Sequence, residues 1–305
     1  MPNLINLACG QSFDPNWINL DQNASSKEVQ VHDLRTPLPF PENYADAIYC
    51  SHFLEHLDEH QSKIFLQECH RCLNDEGVLR IVVPDFERMA QDYLDVVGKL
   101  HAGSNFETEH QWMHLEIFDQ FSRKRPEGEI STFLSNSDNR QNSFIRNRIG
   151  LAIQNFKNQE GSSANSESKS TSIGFLRNLR KLLFDSAYRT NFLMKRLCPK
   201  HFQVFSIYPS ESFLKEIILM SLPSLSYREI KEAIFRNSGE VHLQSFDQFK
   251  LKELLLNIGF IDVNKKNANE SSIKNWTSYA LDVTPEGSEK KADSLYIEAF
   301  KCLKS

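Results

Sequence analysis

Short apolar runs, each ending at a small or polar residue, alternate with polar turns along the first 100 residues. These runs predict five buried strands, at 4–7, 17–20, 29–31, 45–50 and 79–83. Between the last two runs, Asp58 and Gln61 have the spacing of a helix N-cap and its capping-box partner, which predicts a helix ending near Leu73. Because strands and helices alternate, we expect a mostly parallel sheet with right-handed crossovers.

The alternation lapses after about residue 100 and resumes near residue 240. There a helical run stops at Gly259, an apolar strand follows it, and Ser294–Lys301 predicts a closing strand. We therefore expect one domain built from residues 1–100 and 240–305, interrupted by a mainly helical insertion at 101–239. Within the insertion, the serine-rich segment 158–172 predicts a mobile linker.

Composition and charge narrow the class of protein. The chain has 305 residues, of which 40% are apolar, and this suffices for a large core. Its net charge of −5 argues against a nucleic-acid-binding surface. It has no apolar run of roughly 18 residues and no signal-peptide pattern, so we expect a cytoplasmic protein. The stretch 173–201 carries seven Lys or Arg against one acid, and as an amphipathic helix it either contacts the inner membrane surface peripherally or packs on its own protein.

Six cysteines are scattered along the chain, which favours free thiols over a disulfide framework. Cys69 and Cys72 form a single C-x-x-C pair, without the second pair that a zinc site of this kind needs. No metal site is predicted from the cysteines.

The ends of the first two predicted strands carry a nucleotide-binding pattern. The small, turn-prone residues Ala8, Cys9 and Gly10 follow the first strand, where a ligand can approach the backbone. Asp21 ends the second strand, where doubly wound folds hold a carboxylate for ribose hydroxyls; the alternative is an ordinary turn aspartate. The G-x-G-x-x-G pattern of NAD sites is absent, because its three glycine positions are occupied by Ala8, Gly10 and Phe13.

Taken together, the motifs of this chain resemble those of the class I S-adenosylmethionine-dependent methyltransferases of type 11. The resemblance rests on NLACG, WINLD, HDLRTPLPFPENYADAIYCSHFLEHL and ECHRCLNDEGVLRIVVPD in the first part, and on GEVH, LLLNIGF and DSLYIEAFK in the last. A bacterial subgroup of that superfamily also has a motif like WMHLEIFDQFSRKRPEGEISTFL, and this chain looks most similar to that subgroup.

The resemblance implies an α/β fold, a Rossmann-like three-layer sandwich whose seven-stranded sheet is mostly parallel with an antiparallel last strand. It also implies S-adenosyl-L-methionine as the cofactor, bound across the carboxyl ends of strands one to four. The matching positions are Asn6, Ala8, Cys9, Gly10 and Ser12 for the methionine part, Asp21 for the ribose, Asp33 and Leu34 beside the adenine, and Cys50 and Ser51 with His52 on the floor of the site. Ala8 stands where the family usually has its first glycine, and its methyl group restricts positive φ. No helix precedes the first strand, so the insertion is expected to cover the cofactor.

Two histidines are candidate catalytic residues. His242 lies just before the closing helix, where such chains often place acceptor-pocket residues, and we expect it to face the transferred methyl group opposite His52. His52, His56 and His60 recur at intervals of four, which would suit a metal only on a continuous helix. Because Asp58 as an N-cap argues against such a helix, structural support and lining of the site are the favoured roles of His56.

The predicted function is methyl transfer from S-adenosylmethionine to a small molecule or to a glycan or lipid-linked intermediate. In-line transfer depends mainly on alignment and exclusion of water, so few catalytic residues are needed. Residues 116–123 provide polar side chains at helical spacing that form either a solvated face or part of an acceptor site. Two other classes stay open: a catalytically inactive, cofactor-binding partner subunit, and a nucleotide-sugar enzyme on the same fold.

Overall fold

The structure is a computed structural model that describes residues 2–24, 26–126, 128–150, 232–233, 235–236 and 238–303. The predicted linker at 158–172 and the basic stretch at 173–201 lie outside these residues. The chain divides into two compact units, the first comprising Met1–Ser122, Glu129–Gln154 and His242–Ser305 and the second the remainder. No helix in the described part of the chain has the length and apolar character needed to cross a membrane.

A seven-stranded sheet forms the centre of the first unit. Its strands are β1 (Leu4–Leu7), β2 (Ile18–Asp21), β3 (Val29–Val31), β4 (Ala45–Ser51), β5 (Leu73–Pro84), β6 (Phe260–Lys266) and β7 (Ser294–Lys301). They lie in the order β3-β2-β1-β4-β5-β7-β6, and β7 runs antiparallel to both of its neighbours. The prediction of a Rossmann-like α/β fold with an antiparallel last strand is confirmed. We call the edge where the parallel strands end, and where β7 begins, the carboxyl edge.

The described segments that join β1 to β2, β2 to β3 and β3 to β4 contain no helix, so the predicted alternation of strands and helices is wrong there; helices lie between β4 and β5 and between β5 and β6. Among the described residues they are α1 (Glu59–Cys72), α2 (Phe86–His101), α3 (Glu107–Ser122), α4 (Gly128–Ser135), α5 (Ser137–Gln141), α6 (Ser143–Ile149) and α7 (Gln248–Ile258). The capping box of α1 is present, because Asp58 Oδ1 accepts from Gln61 N at 2.8 Å and Gln61 Oε1 accepts from Asp58 N at 3.2 Å. Helix α7 ends at Gly259, which has a φ of 112° and thereby supplies the left-handed stop.

The fifth strand starts earlier than the predicted residue 79. Strand β5 begins at Leu73, directly after α1, and passes through a bulge opposite Ala45 before its regular part. Glu76 has a φ of 63° in this bulge. A Cβ on Gly77 would lie 2.8 Å from the carbonyl oxygen of Asn74, so only glycine fits there.

Two hydrophobic clusters pack on the faces of the sheet. Ile48 of β4 belongs to one cluster, whereas its neighbours Ala47 and Tyr49 belong to the other, as expected because successive strand residues point to opposite faces. The first cluster includes the buried sides of α1 and α7, and the second includes Trp17 and Trp276. The core therefore fixes the carboxyl edge from both sides.

Candidate active site

A cavity of about 260 Å³ opens at the carboxyl edge, where β1 and β4 end. The strand order reverses between these two strands, and ligands of open α/β sheets bind at such a switch point. One wall consists of Asn6 and the loop after β1, and the other is built by β4 and the segment before β7. The fold therefore forms a ligand cavity where the nucleotide-binding pattern predicts one.

Asn6 supplies an unsatisfied polar atom to the wall of this cavity. Its buried side chain donates from Nδ2 to the carbonyl of Ser12 and to Oδ1 of Asn19, both at 3.1 Å. Because both amide protons are used, the orientation of the amide is determined, and Oδ1 has no hydrogen-bond partner. A buried acceptor without a donor costs about 1–3 kcal/mol. A donor group on a ligand would remove this cost.

Asp21 joins the loop after β1 to the end of β2. Its Oδ2 accepts from the backbone N–H of Gly10 at 2.9 Å, and its Oδ1 accepts from that of Asn23 at 2.8 Å. A carboxylate has roughly four acceptor positions, so two remain for ligand hydroxyls. Asp21 does not itself line the 260 Å³ cavity, so it would hold a part of the ligand that extends outside it.

Two residues beside the cavity have a left-handed backbone although neither is a glycine. Ala8, directly after β1, has a φ of 54°, and His52, directly after β4, has a φ of 52°. For an alanine this conformation costs about 1–2 kcal/mol. The methyl group of Ala8 therefore does not prevent the positive φ, and both residues lie at the ends of strands that border the cavity.

The wall opposite the loop is a rigid polar network. Tyr49 Oη donates to Asp282 Oδ1 at 2.5 Å, and Arg80 Nε donates to Asp282 Oδ2 at 2.8 Å. Arg80 is fully buried and also donates to Glu298 Oε1 at 2.8 Å. Burial, reinforced by the neighbouring Asp282 carboxylate, raises the pKa of Tyr49 well above its usual value. Tyr49 therefore remains a neutral hydrogen-bond donor in this wall.

His52 lies at the floor of the cavity between two oriented partners. Its Nδ1 lies 3.3 Å from Glu55 Oε1, and its Nε2 lies 3.0 Å from Ser294 Oγ. A carboxylate beside Nδ1 favours a proton on that nitrogen, so Nε2 becomes the acceptor and Ser294 the donor. The imidazole is thereby held in one tautomer, with its basic nitrogen at the carboxyl edge.

A second cavity, a polar cleft of about 670 Å³, lies at the same edge between β5, β6 and β7. Its lining includes Asp85, Arg88, Lys265, Ser294 and Tyr296, so it carries both acidic and basic groups. Tyr296 lines both the cleft and the 260 Å³ cavity. The hydrogen bond from Ser294 to His52 crosses from the cleft to the cavity, and the two spaces meet at this pair.

Glu55 occupies the buried side of His52, in a 3₁₀ turn formed by Leu54–His56. Its side chain is 1% exposed, and neither carboxylate oxygen has a hydrogen-bond partner among the described residues. The contact with His52 at 3.3 Å is therefore electrostatic rather than a well-aligned hydrogen bond. Burial alone would raise the pKa of Glu55, but the imidazoles of His52, His56 and His242 outweigh it and lower the pKa to about 2. Glu55 is thus an anion at neutral pH.

The structure places the predicted site residues in different environments. Asn6, Ala8, Cys9, Gly10, Ser12, Ser51 and His52 line the cavity. The side chains of Cys50 and Leu34 lie in the hydrophobic core instead of on the cavity wall, because they point to the face that packs on the helices. Asp33 pairs with Arg35 at 2.8 Å near the surface. His242 lies beside His56, with ring centroids 4.8 Å apart, and lines neither cavity.

The thiol of Cys9 borders the cavity but is not activated. Burial, together with the nearby negative charge of Asp21, raises the pKa of Cys9 to about 11. The protonated thiol is a poor nucleophile at neutral pH. Cys9 therefore contributes shape rather than covalent chemistry.

The polar residues at 116–123 do not all belong to a solvated face, because two of them are largely buried. Glu116 is almost fully buried and pairs with Arg148 at 2.6 Å, and Asp119 accepts the backbone N–H of Glu129 at 2.6 Å. These two carboxylates join α3 to α6 and α4. Neither of them lines one of the two cavities.

Four site residues were not predicted: Glu55, Asp282, Ser294 and Tyr296. The last three come from the segment before β7 and from β7 itself, which reaches the carboxyl edge only because it runs antiparallel. For Glu55 there was a signal in HFLEH, where a carboxylate stands between two histidines. Its importance depends on the 3₁₀ turn, which buries Glu55 rather than exposing it.

Residues 6–81 match a family model described as a methyltransferase domain. A comparison with curated protein sequences found no match. About a quarter of the chain, residues 6–81, is thus similar to a methyltransferase domain, and these residues form part of a Rossmann-like α/β fold.

Similar solved structures include three S-adenosylmethionine-dependent methyltransferases. The one from Mesorhizobium loti is 16% identical over 28% of this chain and 47% of its own, with a TM-score of 0.23. The one from Archaeoglobus fulgidus is 12% identical over 98% and 86%, with a TM-score of 0.35. The one from Clostridium acetobutylicum is 16% identical over 29% and 45%, with a TM-score of 0.25. The matched region spans less than half the length of the first and third of these proteins.

Proposed function

We propose that this protein transfers a methyl group from S-adenosyl-L-methionine to an oxygen or nitrogen atom of a polar small molecule or glycan. The observation that carries the proposal is the meeting of two cavities at one oriented imidazole. The smaller cavity lies at the switch point of the sheet, beside residues that match a methyltransferase family model, and the polar cleft is joined to it through Ser294 and His52. This arrangement suits a reaction between a bound cofactor and a separate acceptor.

The residues present fit the cofactor. The unpartnered Oδ1 of Asn6 suits the ammonium group of the methionine part, and Asp21 has acceptor positions left for ribose hydroxyls. The small cavity, with about 260 Å³, is below the usual 300–1,000 Å³ range for whole ligands, which suits one part of an extended molecule. When bound, S-adenosyl-L-methionine supplies an electrophilic methyl group on a sulfonium.

The polar cleft supports a polar acceptor. Asp85 and Lys265 form an ion pair in its lining, with Lys265 Nζ 3.1 Å from Asp85 Oδ2, and Arg88 adds a partly exposed guanidinium. Paired charges of this kind recognise hydroxyl, carboxylate or phosphate groups better than alkyl chains. A sugar or a small polar metabolite therefore suits this lining, and a lipid-linked glycan would have to place its lipid elsewhere.

His52 is the residue that we assign to proton transfer. An acceptor hydroxyl or amine that is methylated loses a proton, and the Nε2 of His52 would accept that proton. Glu55 stabilises the imidazolium formed, because its carboxylate faces Nδ1 at 3.3 Å. Ser294, at 3.0 Å from Nε2, marks the position from which an acceptor hydroxyl or amine would approach. The products are the methylated acceptor and S-adenosylhomocysteine.

The test combines cofactor binding with turnover. Calorimetric titration with S-adenosyl-L-methionine is expected to show one site, and incubation of the protein with methyl-labelled cofactor and a metabolite extract is expected to label a polar product. Binding without labelling, in an extract that supports control methyltransferases, would indicate an inactive partner subunit. Binding of sugar nucleotides without S-adenosyl-L-methionine would favour the nucleotide-sugar enzyme.

A further inference from the structure

We propose that Glu55, His56 and His242 bind a divalent transition-metal ion, with Zn²⁺ as the best match to two imidazoles and one carboxylate. None of the three side chains lines the cofactor cavity or the polar cleft, so this metal site is separate from the two ligand sites. The inference goes beyond methyl transfer and does not depend on it.

The geometry brings three ligand atoms to one point. One atom from each side chain lies within 4.8 Å of the other two. In a tetrahedral zinc site with bonds of about 2.0–2.1 Å, ligand atoms are roughly 3.3 Å apart. Each pair must therefore approach by roughly 1.5 Å at most, which small side-chain rotations supply. The two imidazole rings are nearly perpendicular, at 79°, with their centroids 4.8 Å apart.

The environment of Glu55 favours a bound cation over a cluster of histidines with a purely structural role. Its carboxylate is buried, yet neither oxygen has a hydrogen-bond partner in the part of the chain that the structure describes. Buried charges in proteins are normally paired and hydrogen-bonded, or bound to metals. His52 faces one oxygen, Oε1, at 3.3 Å, which leaves Oε2 for a cation.

The backbone holds the two halves of the site together. The carbonyl of Glu55 accepts from the N–H of Leu243 at 2.7 Å and from that of Gln244 at 3.2 Å. The side chain of Gln244 also donates to the carbonyl of Leu57 at 2.9 Å. His242 is thus placed beside the 3₁₀ turn by hydrogen bonds that do not involve its ring, and the site is largely preorganised.

The surroundings of the carboxylate also suit a metal. Ligating carboxylates are commonly oriented by a partner outside the coordination sphere, and the contact between His52 Nδ1 and Glu55 provides one. Three protein ligands leave the fourth tetrahedral position open to water or to an oxygen of another molecule, as in catalytic rather than structural zinc sites. The inferred site is therefore an open one.

Metal binding can be measured directly on the full chain. The protein is treated with a chelator, desalted and titrated with ZnCl₂ by calorimetry, and in parallel with CoCl₂ while the visible absorption of tetrahedral cobalt is recorded. We expect one ion per chain and a cobalt spectrum that excess ZnCl₂ abolishes. Neither measurement contains S-adenosyl-L-methionine, so failure here is distinguishable from failure of the proposed methyl transfer.

Substitutions of the three proposed ligands test where the ion binds. Loss of an outer-shell partner costs about 10–100-fold in metal affinity, so loss of a direct ligand in His56→Gln, His242→Gln or Glu55→Gln should cost at least about 100-fold. Two controls should bind as the wild type does. One is His60→Gln, on the exposed side of α1; the other is the double variant His110→Gln/His114→Gln, which removes a competing imidazole pair with centroids 4.7 Å apart on α3.

Circular dichroism establishes which variants are folded. If Glu55→Gln does not fold, the two histidine variants decide, because each leaves the buried carboxylate in place. Absence of zinc binding by the folded wild type overturns the proposal. Binding that survives in folded His56→Gln and His242→Gln, or that disappears in the α3 double variant, also overturns it.

Discussion

Replacement of Asp21 by asparagine is a sharp test of the proposed cofactor site. In the wild type, Oδ2 accepts the N–H of Gly10 at 2.9 Å and Oδ1 accepts that of Asn23 at 2.8 Å. Asparagine keeps the shape, but one of the two acceptors becomes an NH₂ group that faces a backbone N–H. The variant also loses the negative charge that would bind ribose hydroxyls.

The magnitude follows from the bonds lost. A hydrogen bond to a charged group is worth about 1.5–3 kcal/mol, and the partial exposure of Asp21 places it at the lower end. Loss of one such bond to the ribose weakens cofactor binding by about tenfold, since 1.4 kcal/mol corresponds to a factor of ten. Asp21→Ala removes both acceptors and should weaken binding by at least about tenfold and up to about 100-fold.

Calorimetric titration with S-adenosyl-L-methionine measures the affinity, and urea unfolding of the same samples measures stability. The matched control is Asp33→Asn, because Asp33 is already paired with Arg35 at 2.8 Å and should contribute less to binding. Unchanged affinity in folded Asp21→Ala would refute the assignment of the ribose to this carboxylate. A larger loss in the Asp33 variant than in the Asp21 variant would do the same.

Four further predictions concern the positive φ of Ala8, the role of His52 as a base, the buried ion pairs of Arg80 and the buried carboxylate of Glu55. Ala8→Gly removes the strain of a positive φ at an alanine and should stabilise the protein by about 0.5–1 kcal/mol in urea unfolding. Cofactor binding should be equal or tighter. A loss of affinity would show that the methyl group is needed. His52→Asn should lower kcat by about 10²–10⁴-fold in the labelling assay with nearly unchanged cofactor affinity, and unaltered turnover would exclude it as the base. Arg80→Met leaves two buried carboxylates without their partner and should lower the free energy of unfolding by about 3–5 kcal/mol. The Arg88 side chain is 51% exposed, so Arg88→Met should lower it by less than about 1 kcal/mol. The folded pKa of Glu55, about 2, lies below its ordinary 4.5, so the stability that its charge contributes is complete above about pH 4.5 and is lost as the pH falls towards 2. The stability difference between the wild type and Glu55→Gln should therefore shrink on acidification, and a difference that grows would contradict the lowered pKa.

Local signals were sufficient to predict most of the fold. The run Ser294–Lys301 forms β7 with the predicted bounds, because an almost continuous apolar segment has few alternatives to a buried strand. The cap at Asp58 and the stop at Gly259 are likewise local, since each depends on the hydrogen bonds or φ of one turn. The cavity-lining loop at Ala8–Gly10 was also identifiable, because it follows directly from the end of a strand.

The part of the site that β7 and the segment before it contribute could not be predicted from the sequence, because it depends on contacts between distant parts of the chain. Ser294 meets His52 across 242 residues, and Asp282 meets Tyr49 across 233. The position of His242 was predicted to be opposite His52 on the acceptor side. The structure places it beside His56 instead, because the backbone that follows it is bound to the carbonyl of Glu55.

The position of β7 between β5 and β6 has a consequence for biosynthesis. Until β7 is made, one edge of the long apolar strand β5 has no partner, and an unpaired edge of this kind promotes association between chains. Roughly 200 residues separate the end of β5 from the start of β7, which at about 5–20 residues per second corresponds to about 10–40 s of synthesis. We therefore expect the nascent chain to depend on chaperones during this interval, and its yield to respond to slower growth or lower temperature more than that of an all-parallel protein whose strands pair as they emerge.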